Sequence, residues 1–380
     1  YFNSGIIAGV YTTNSVESCF HVLESSRANI VVVDDPKQMA KIFEIKDKLP
    51  HLKAVIQTLP PYAQYVRKSV GFWRWNELED INTEDVKDEY DRRLASIAPN
   101  ECCCLIYTSG TVGKPKGVML SHDNITWDAY SFTVLLDNLH LGKEVLVSYL
   151  PLSHVAAQIV DIYTMMSIAG TVYFADKDAM KGSLAKTLRE VRPTHFLAVP
   201  RIYEKLHEKT AQVEDQSNAI KRMIGAWAKN AALNHHLNRM AGHPSSSIEY
   251  KLAQKVFLTK VKQALGFDRT KNFVTGAAPL SNETKKFFLS IDIPIIEAFG
   301  MSETTGGHTM SSIDQPTFET IGRQLPGVQT KIINAENDGT GEICVRGRHV
   351  FMGYLNEMEK TIEAIDDDGW LHTGDVGYID

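Results

Sequence analysis

Short apolar runs alternate with charged, amphipathic stretches along most of the chain. Asn29–Asp34 (NIVVVD) and Lys53–Gln57 (KAVIQ) have the continuous β-branched character of buried strands, with a charged helix predicted between them. Cys102–Thr108 (CCCLIYT) predicts another strand that ends in a Gly-rich turn. Ser121 then reads as an N-cap for a helix over Asn124–Leu136. Val145–Leu150, Thr171–Ala175, His195–Val199, Asn272–Thr275 and Ile295–Phe299 predict further short strands, with helical segments between most of them. Such alternation implies an α/β fold: layered α/β/α subdomains with largely parallel sheets. After about Ser311 the pattern becomes short β-like runs (Val328–Ile333, Glu342–Arg346, Val376–Asp380) between Gly and Asp turns. The expected organisation is a large α/β domain over 1–310 and a small β-rich, barrel-like subdomain over 311–380.

Two segments stand apart. Val155–Ala175 is apolar enough to resemble a membrane span, but it carries Gln158 and Asp161. An Asp near a span centre costs about 2.5–3.5 kcal/mol, so a buried helix followed by a core strand is the reading. Asp215–Gly266 predicts polar helices rich in Lys, Asn and His. Adjacent His235 and His236 in such a helix are expected to be solvated, since no carboxylate spacing supports a metal site.

Composition narrows the function classes. The chain has 380 residues, 43% hydrophobic and 23% charged, with a formal net charge of -6. That balance argues against a nucleic-acid partner. Five cysteines, three of them adjacent and none in a CxxC pair, favour a reduced, intracellular setting over a disulfide or zinc framework. The sequons at Asn124 and Asn282 are then chance matches.

The most informative stretch is Tyr107–His122 (YTSGTVGKPKGVMLSH). Thr108, Ser109 and Thr111 supply hydroxyls, and Gly110 and Gly113 let backbone N–H groups approach an anion. Lys114 and Lys116 bring positive charge, and Pro115 stiffens the turn. These are the requirements of a phosphate loop. It is not a Walker A loop: the fifth residue after Gly110 is Pro115 and after Gly113 is Val118, so the Gly-Lys-Ser/Thr ending is missing.

The stretch resembles the signature loop of the adenylate-forming superfamily, YTSGTTGxPKG, with Val112 in place of the second Thr and one hydroxyl fewer. Three later segments are similar to motifs of the same superfamily, in the same order. Glu297–Thr305 (EAFGMSETT) resembles its adenine and metal motif, Gly369–Gly377 (GWLHTGDVG) its ribose motif, and Thr275–Leu280 (TGAAPL) its small-residue segment. By that resemblance, Glu297, Ala298, Phe299, Gly300, Met301 and Ser302 run along the nucleotide, with Phe299 against the adenine. Glu303, with Thr111, would hold Mg²⁺ beside the phosphates, as a hard cation prefers oxygen ligands. Asp375 would accept the ribose hydroxyls, and Gly276, Ala277 and Ala278 would let a ligand lie against the backbone. Residues 1–310 then correspond to the large AMP-binding domain.

Tyr149–Val155 (YLPLSHV) resembles the segment whose His, here His154, lies near the reacting carboxylate. Val199–Lys205 and the stretch DDPKQMAKIFEIKDKLPHLKAVI look most like the bubblegum-type group of long- and very-long-chain fatty acyl-CoA synthetases. The resemblance implies a ligase of fatty acid metabolism that uses ATP, Mg²⁺ and coenzyme A. It would form acyl-AMP and pyrophosphate, then acyl-CoA and AMP, with Lys116, Glu303 and His154 as catalytic groups. It implies a cytoplasmic setting with peripheral contact to an internal membrane such as the endoplasmic reticulum.

The chain begins at Tyr1 and stops just after the ribose motif. The expectation is a fragment without the mobile C-terminal domain of the superfamily, and so impaired in adenylation. Two rival readings stand beside this one: an adenylating enzyme for another acid, and a non-catalytic, truncated binder of nucleotide or acyl-adenylate.

Overall fold

The computed structural model describes residues 5–62, 71–108, 114–136, 138–243, 247–312 and 318–380. They group into two units that interleave in sequence. The first takes Tyr1–Asn124, Pro151–His154 and Phe351–His372; the second takes Ile125–Leu150, Val155–Val350 and Thr373–Asp380. The contacts therefore do not divide the chain at 310/311. Residues Phe351–His372 belong with the first unit because Gly353 and Tyr354 pair antiparallel with Met119 and Val118.

Among the described residues the first unit contains two sheets. One is parallel, from Ile30–Val33, Ala54–Gln57 and Gly71–Arg74. The helix Pro36–Ile45 joins its first two strands, and Asp35 caps it by accepting the Gln38 amide at 2.9 Å. Val31, Val33 and Val55 meet Met39, Ile42 and Ile45 of this helix in one core. Ile30 and Val32 point the other way and are exposed, so this strand is buried on one face only. The second sheet has the order Ile7–Ala8, Cys102–Thr108, Lys116–Ser121, Gly353–Tyr354. Its centre is an antiparallel hairpin in which Thr108 lies opposite Lys116. The strand Lys116–Ser121 departs from expectation, because its Gly and Lys residues read as loop. At its end Ser121 and Asn124 cap each other, amide to side chain in both directions (2.8 and 3.0 Å), and the helix His122–Leu135 begins.

The second unit is built on a seven-stranded sheet. Its order is Arg323–Gln324, Thr309–Met310, Ile295–Phe299, Asn272–Thr275, His195–Ala198, Val145–Ser148, Thr171–Phe174. The last five run parallel, and the first two are antiparallel additions. Helices such as Leu184–Val191, Pro200–Asp215 and Asn282–Ser290 pack against it through an aromatic core. Phe267 lies 4.8 Å from Phe196 and 5.1 Å from Phe273, ring centre to ring centre. Each such fully buried side chain contributes about 1.5–3 kcal/mol over its exposed state.

The structure corrects three further expectations. Thr171–Phe174 is an edge strand with Tyr173 and Phe174 exposed, not a core strand. The preceding helical stretch is buried as expected, with a π-helical centre over Gln158–Thr164. Among the described residues no helix is long and apolar enough to cross a membrane. His236 is buried, not solvated, because Asp292, distant in sequence, accepts from its Nε2 at 3.0 Å. The last strand is Leu371–Gly377 rather than Val376–Asp380, so the ribose motif is itself the strand.

At the amino-terminal ends of three adjacent parallel strands sits Glu144, fully buried. It accepts hydrogen bonds from His195 Nε2 (2.7 Å), Lys271 Nζ (2.9 Å) and the His140 amide (2.8 Å). Burial alone raises this carboxyl, but hydrogen bonds from Thr194, Lys271, His140 and His195 outweigh it and hold the pKa at about 2. Its contribution is present above the ordinary value of 4.5 and lost as pH falls toward about 2. Glu144→Ala leaves Lys271 and His195 without their partner, and the expected cost is about 3–5 kcal/mol in urea unfolding at neutral pH. An unchanged midpoint would show that the network adds nothing to stability.

Candidate functional site

In the first unit the predicted residues gather around the hairpin. Ser109, Gly110, Thr111, Val112 and Gly113 lie outside the described residues. Their flanks are fixed, since Thr108 and Lys116 are cross-strand partners. Tyr107 is buried, and its hydroxyl meets Ser25 Oγ at 2.7 Å. The Pro115 carbonyl accepts from His21 Nε2 at 2.8 Å, and Lys114 is exposed. Lys116 extends over the ring of Tyr354, Nζ 4.2 Å from its centre. A cation–π contact of this kind holds an ammonium without neutralising it. No motif pointed to Tyr354. It is brought there by pairing with Val118 and by the Leu355 amide, which donates to the Gly117 carbonyl at 2.8 Å.

His154 ends the short segment Pro151–His154, its amide donating to the Pro151 carbonyl at 2.9 Å. Burial lowers its pKa below the usual 6.5, which favours the neutral ring at pH 7. Ser153 beside it packs on Gly9, where an added Cβ would stand 2.7 Å from the Ser153 Cα.

In the second unit the small-residue and adenine motifs lie at the carboxyl-terminal ends of neighbouring parallel strands, where open α/β sheets bind ligands. Asn272–Thr275 runs into Gly276, Ala277 and Ala278, and the two alanines are exposed. A Cβ on Gly276 would approach the Ala298 carbonyl to 3.1 Å, so the small-residue segment lies against the next motif's strand. Glu297 fastens that contact: its Oε1 accepts from the Leu280 amide at 3.2 Å, and its Oε2 is paired with Lys285. The Glu297 carboxylate is thus committed to the scaffold.

Beyond Phe299 the chain turns tightly. Met301 donates through its amide to Thr304 Oγ1 at 2.9 Å, and the Gly306 amide returns to the Met301 carbonyl at 3.0 Å. Gly300 makes this closure feasible, since a Cβ there would lie 2.3 Å from the Gly306 carbonyl oxygen. Ser302 and Glu303 stand half-buried on the resulting Ser302–Thr304 turn. Asp375 is exposed on the strand Leu371–Gly377, its amide donating to Thr373 Oγ1 at 3.1 Å. Thr373 Oγ1 in turn donates to the Ile343 carbonyl at 2.7 Å.

Sequence reasoning missed the groups beneath this turn. Asp128 is fully buried, neither carboxyl oxygen has a hydrogen bond of good geometry among the described residues, and burial pushes the group well above the usual range. Its Oδ2 lies 3.5 Å from the Cβ position of Gly306. His308 and His349 stack with ring centres 5.1 Å apart, and His308 Nδ1 is 2.9 Å from His349 Nε2. Burial lowers His308 to about 4; burial and then His308 lower His349 to about 3. No spacing rule links residues 41 positions apart.

Known proteins are similar to this chain. A model of the AMP-binding enzyme family matches residues 2–355. The chain is 48% identical over its whole length to the long-chain-fatty-acid–CoA ligase ACSBG2 of Xenopus laevis, covering 51% of that protein. It is 45% identical to the ligase heimdall of Drosophila melanogaster (99% of this chain, 55% of that protein) and 45% identical to ACSBG1 of Mus musculus (100% and 52%). The chain thus spans about half the length of the curated relatives it matches. Among solved structures, ATP-bound MatB from Rhodopseudomonas palustris superposes with a TM-score of 0.66 at 22% identity, over 99% of this chain and 62% of that one. The N-terminal domain of FACL13 from Mycobacterium tuberculosis gives 0.62 at 19%, over 98% and 76%. These two likenesses concern the fold.

The site sets two measurable expectations. Gly300→Ala forces the turn open and is expected to cost about 1–3 kcal/mol of unfolding free energy; a cost near zero would mean the turn adapts freely. The histidine pair sets a pH dependence. Both rings have folded pKa values below 6.5, so the unfolded chain takes up more protons as the medium is acidified. The stability they allow is complete above about pH 6.5 and falls progressively toward about pH 4. The urea midpoint should drop between about pH 7 and about pH 5, and drop less in the double variant His308→Asn/His349→Gln. Equal slopes would show that other groups set the acid sensitivity.

Proposed function

The chain belongs to the AMP-binding enzyme family, and on that premise we propose that it carries the nucleotide and acyl-binding part of an ATP-dependent long-chain fatty acid–CoA ligase. The observation that carries this reading is the closed turn Gly300–Gly306, which presents Glu303 at the end of a parallel strand with Gly276 of the small-residue segment packed against that strand. The names of the relatives at 42–48% identity, all long-chain-fatty-acid–CoA ligases, support the acyl substrate.

In the proposed reaction a fatty acid carboxylate oxygen attacks the α-phosphorus of ATP. The bond to the bridging oxygen breaks, and pyrophosphate leaves with its electron pair. The sulfur of coenzyme A then attacks the acyl carbon, AMP departs and the thiol proton passes to a base. The first step crowds anions together, so positive charge and oriented dipoles decide its rate. Lys116, over the ring of Tyr354, supplies a cation at the base of the hairpin. Asp375, exposed on its strand, offers two acceptor oxygens to a ribose diol. A neutral His154 adds no charge to the reacting carboxylate and can orient it by a hydrogen bond.

Magnesium is part of this proposal. The half-buried Glu303 carboxylate is the kind of single hard donor that Mg²⁺ uses alongside phosphate oxygens. When bound, the ion would neutralise phosphate charge; Glu303 and, from the sequence, Thr111 would hold it.

Binding of a stable long-chain acyl-AMP mimic tests the reading. The 380-residue chain should bind it, and Asp375→Ala should weaken binding about 10- to 100-fold, the loss of hydrogen bonds to a charged acceptor. Equal binding by wild type and variant, or none by either, would refute the assignment. A tighter grip on an amino-acyl or short-chain mimic would redirect it to another acid.

A further inference from the structure

His308 and His349 join three parts of the second unit that are separate in sequence. The His308 amide donates to the Phe299 carbonyl at 2.8 Å, and the Leu325 amide donates to the His308 carbonyl at 2.8 Å. The edge of the His308 ring meets the Phe299 ring at 6.4 Å, with the planes at 79°. Thr305, buried at the end of the Glu303 turn, donates through Oγ1 to the His349 carbonyl at 2.6 Å. Trp127 lies 5.7 Å from the other side of His349.

With the Gln324 amide oxygen turned toward Thr330, the hydrogen bonds between these parts run in one direction. Thr330 Oγ1 gives its single proton to Gln324 Oε1 at 3.0 Å. It can therefore only accept from His308 Nε2, 2.8 Å away, so that nitrogen carries the proton. A neutral His308 then has a bare Nδ1, which must accept from His349 Nε2 at 2.9 Å. His349 Nδ1, buried without a hydrogen bond of good geometry, is left as a lone pair, a milder loss than a buried unpaired N–H. Burial keeps both rings neutral, as this order of donors requires.

We propose that His308 and His349 are positioning residues for nucleotide binding: a directional relay, His349 to His308 to Thr330 to Gln324, that locks Phe299 and the Glu303 turn in place. Neither ring touches the reacting atoms. The relay is a property of the folded unit, and its effect on binding rests on the reading of Phe299 as the adenine contact. A residue at 349 needs a donor at the Nε2 position, not a titratable ring. Glutamine meets that need, whereas leucine leaves His308 Nδ1 unpaired in the core.

The test compares His349→Gln and His349→Leu in the 380-residue chain by amide hydrogen exchange and AMP binding. In His349→Leu, exchange of the His308 and Gly306 amides should quicken at least about tenfold while that of Phe273 and Phe196 in the same sheet stays unchanged. His349→Gln should match wild type. AMP affinity should keep the same order, about tenfold weaker in Leu and within about twofold in Gln. Uniform quickening across the sheet, or equal effects of the two variants, would overturn the relay and leave only packing. If His349→Leu does not fold, Thr330→Val removes the acceptor at the far end and should give the same local pattern; no local change there refutes the proposal. Should wild type fail to bind AMP, the acyl-adenylate reading falls, while the exchange comparison still decides the relay.

Discussion

The second unit depends on how its parallel sheet is fixed at one end and left open at the other. Glu144 gathers His195 and Lys271 at the amino-terminal ends of neighbouring strands, in a place shielded from water. A buried carboxylate with this many donors tolerates little displacement of any of them. The strand register is thereby held at one end by charge and, through the middle, by the aromatic core. The opposite ends are free to continue into irregular backbone, which is where Gly276–Ala278 and the Gly300–Gly306 turn occur. Rigidity behind the site is what allows tight, unusual backbone in front of it.

Much of this is legible in the sequence. Cys102–Thr108, Asn272–Thr275 and Ile295–Phe299 fall where the apolar runs place them, because each run is short, β-branched or aromatic, and bounded by Gly or a polar turn. The motifs are legible for a related reason: glycines and small residues are forced by close backbone approach, as at Gly276 and Gly300, and such demands leave few alternatives. The illegible part comes from pairing at a distance. His236 reads as solvated because its carboxylate partner is 56 residues away. Lys116 gives no hint of Tyr354, nor His308 of His349, since a single chain read in order carries no signal for which buried polar groups meet. The strand at Thr171–Phe174 misleads in the opposite way, since an apolar run reads as core whether or not a neighbour covers it.

The interior near the candidate site also departs from ordinary cores. Burial pushes the Asp128 carboxyl well up and Asp161 to about 7, and it lowers the two histidines to about 4 and about 3. Burial thus disfavours charge on these four groups, while Glu297 keeps its ion pair with Lys285. Donors and acceptors that carry little charge set geometry while contributing little fixed field around the turn.

The edge strand Thr171–Phe174 has a consequence for how the chain behaves in concentrated solution. Among the described residues it pairs on one side only, with Val145–Ser148, and it shows Tyr173 and Phe174 to solvent. A short aromatic edge of this kind is a template for adding a strand from another molecule. Immediately beyond it the chain carries Asp176-Lys177-Asp178, with Asp176 held in a turn by its hydrogen bonds to Ser183 and the Asp178 amide. Charges placed directly after an aggregation-prone run act as gatekeepers, because a docked strand would have to bury or cross them. The guard on this edge is thus local: three charged residues at one corner of one sheet, whatever the whole-chain charge of -6.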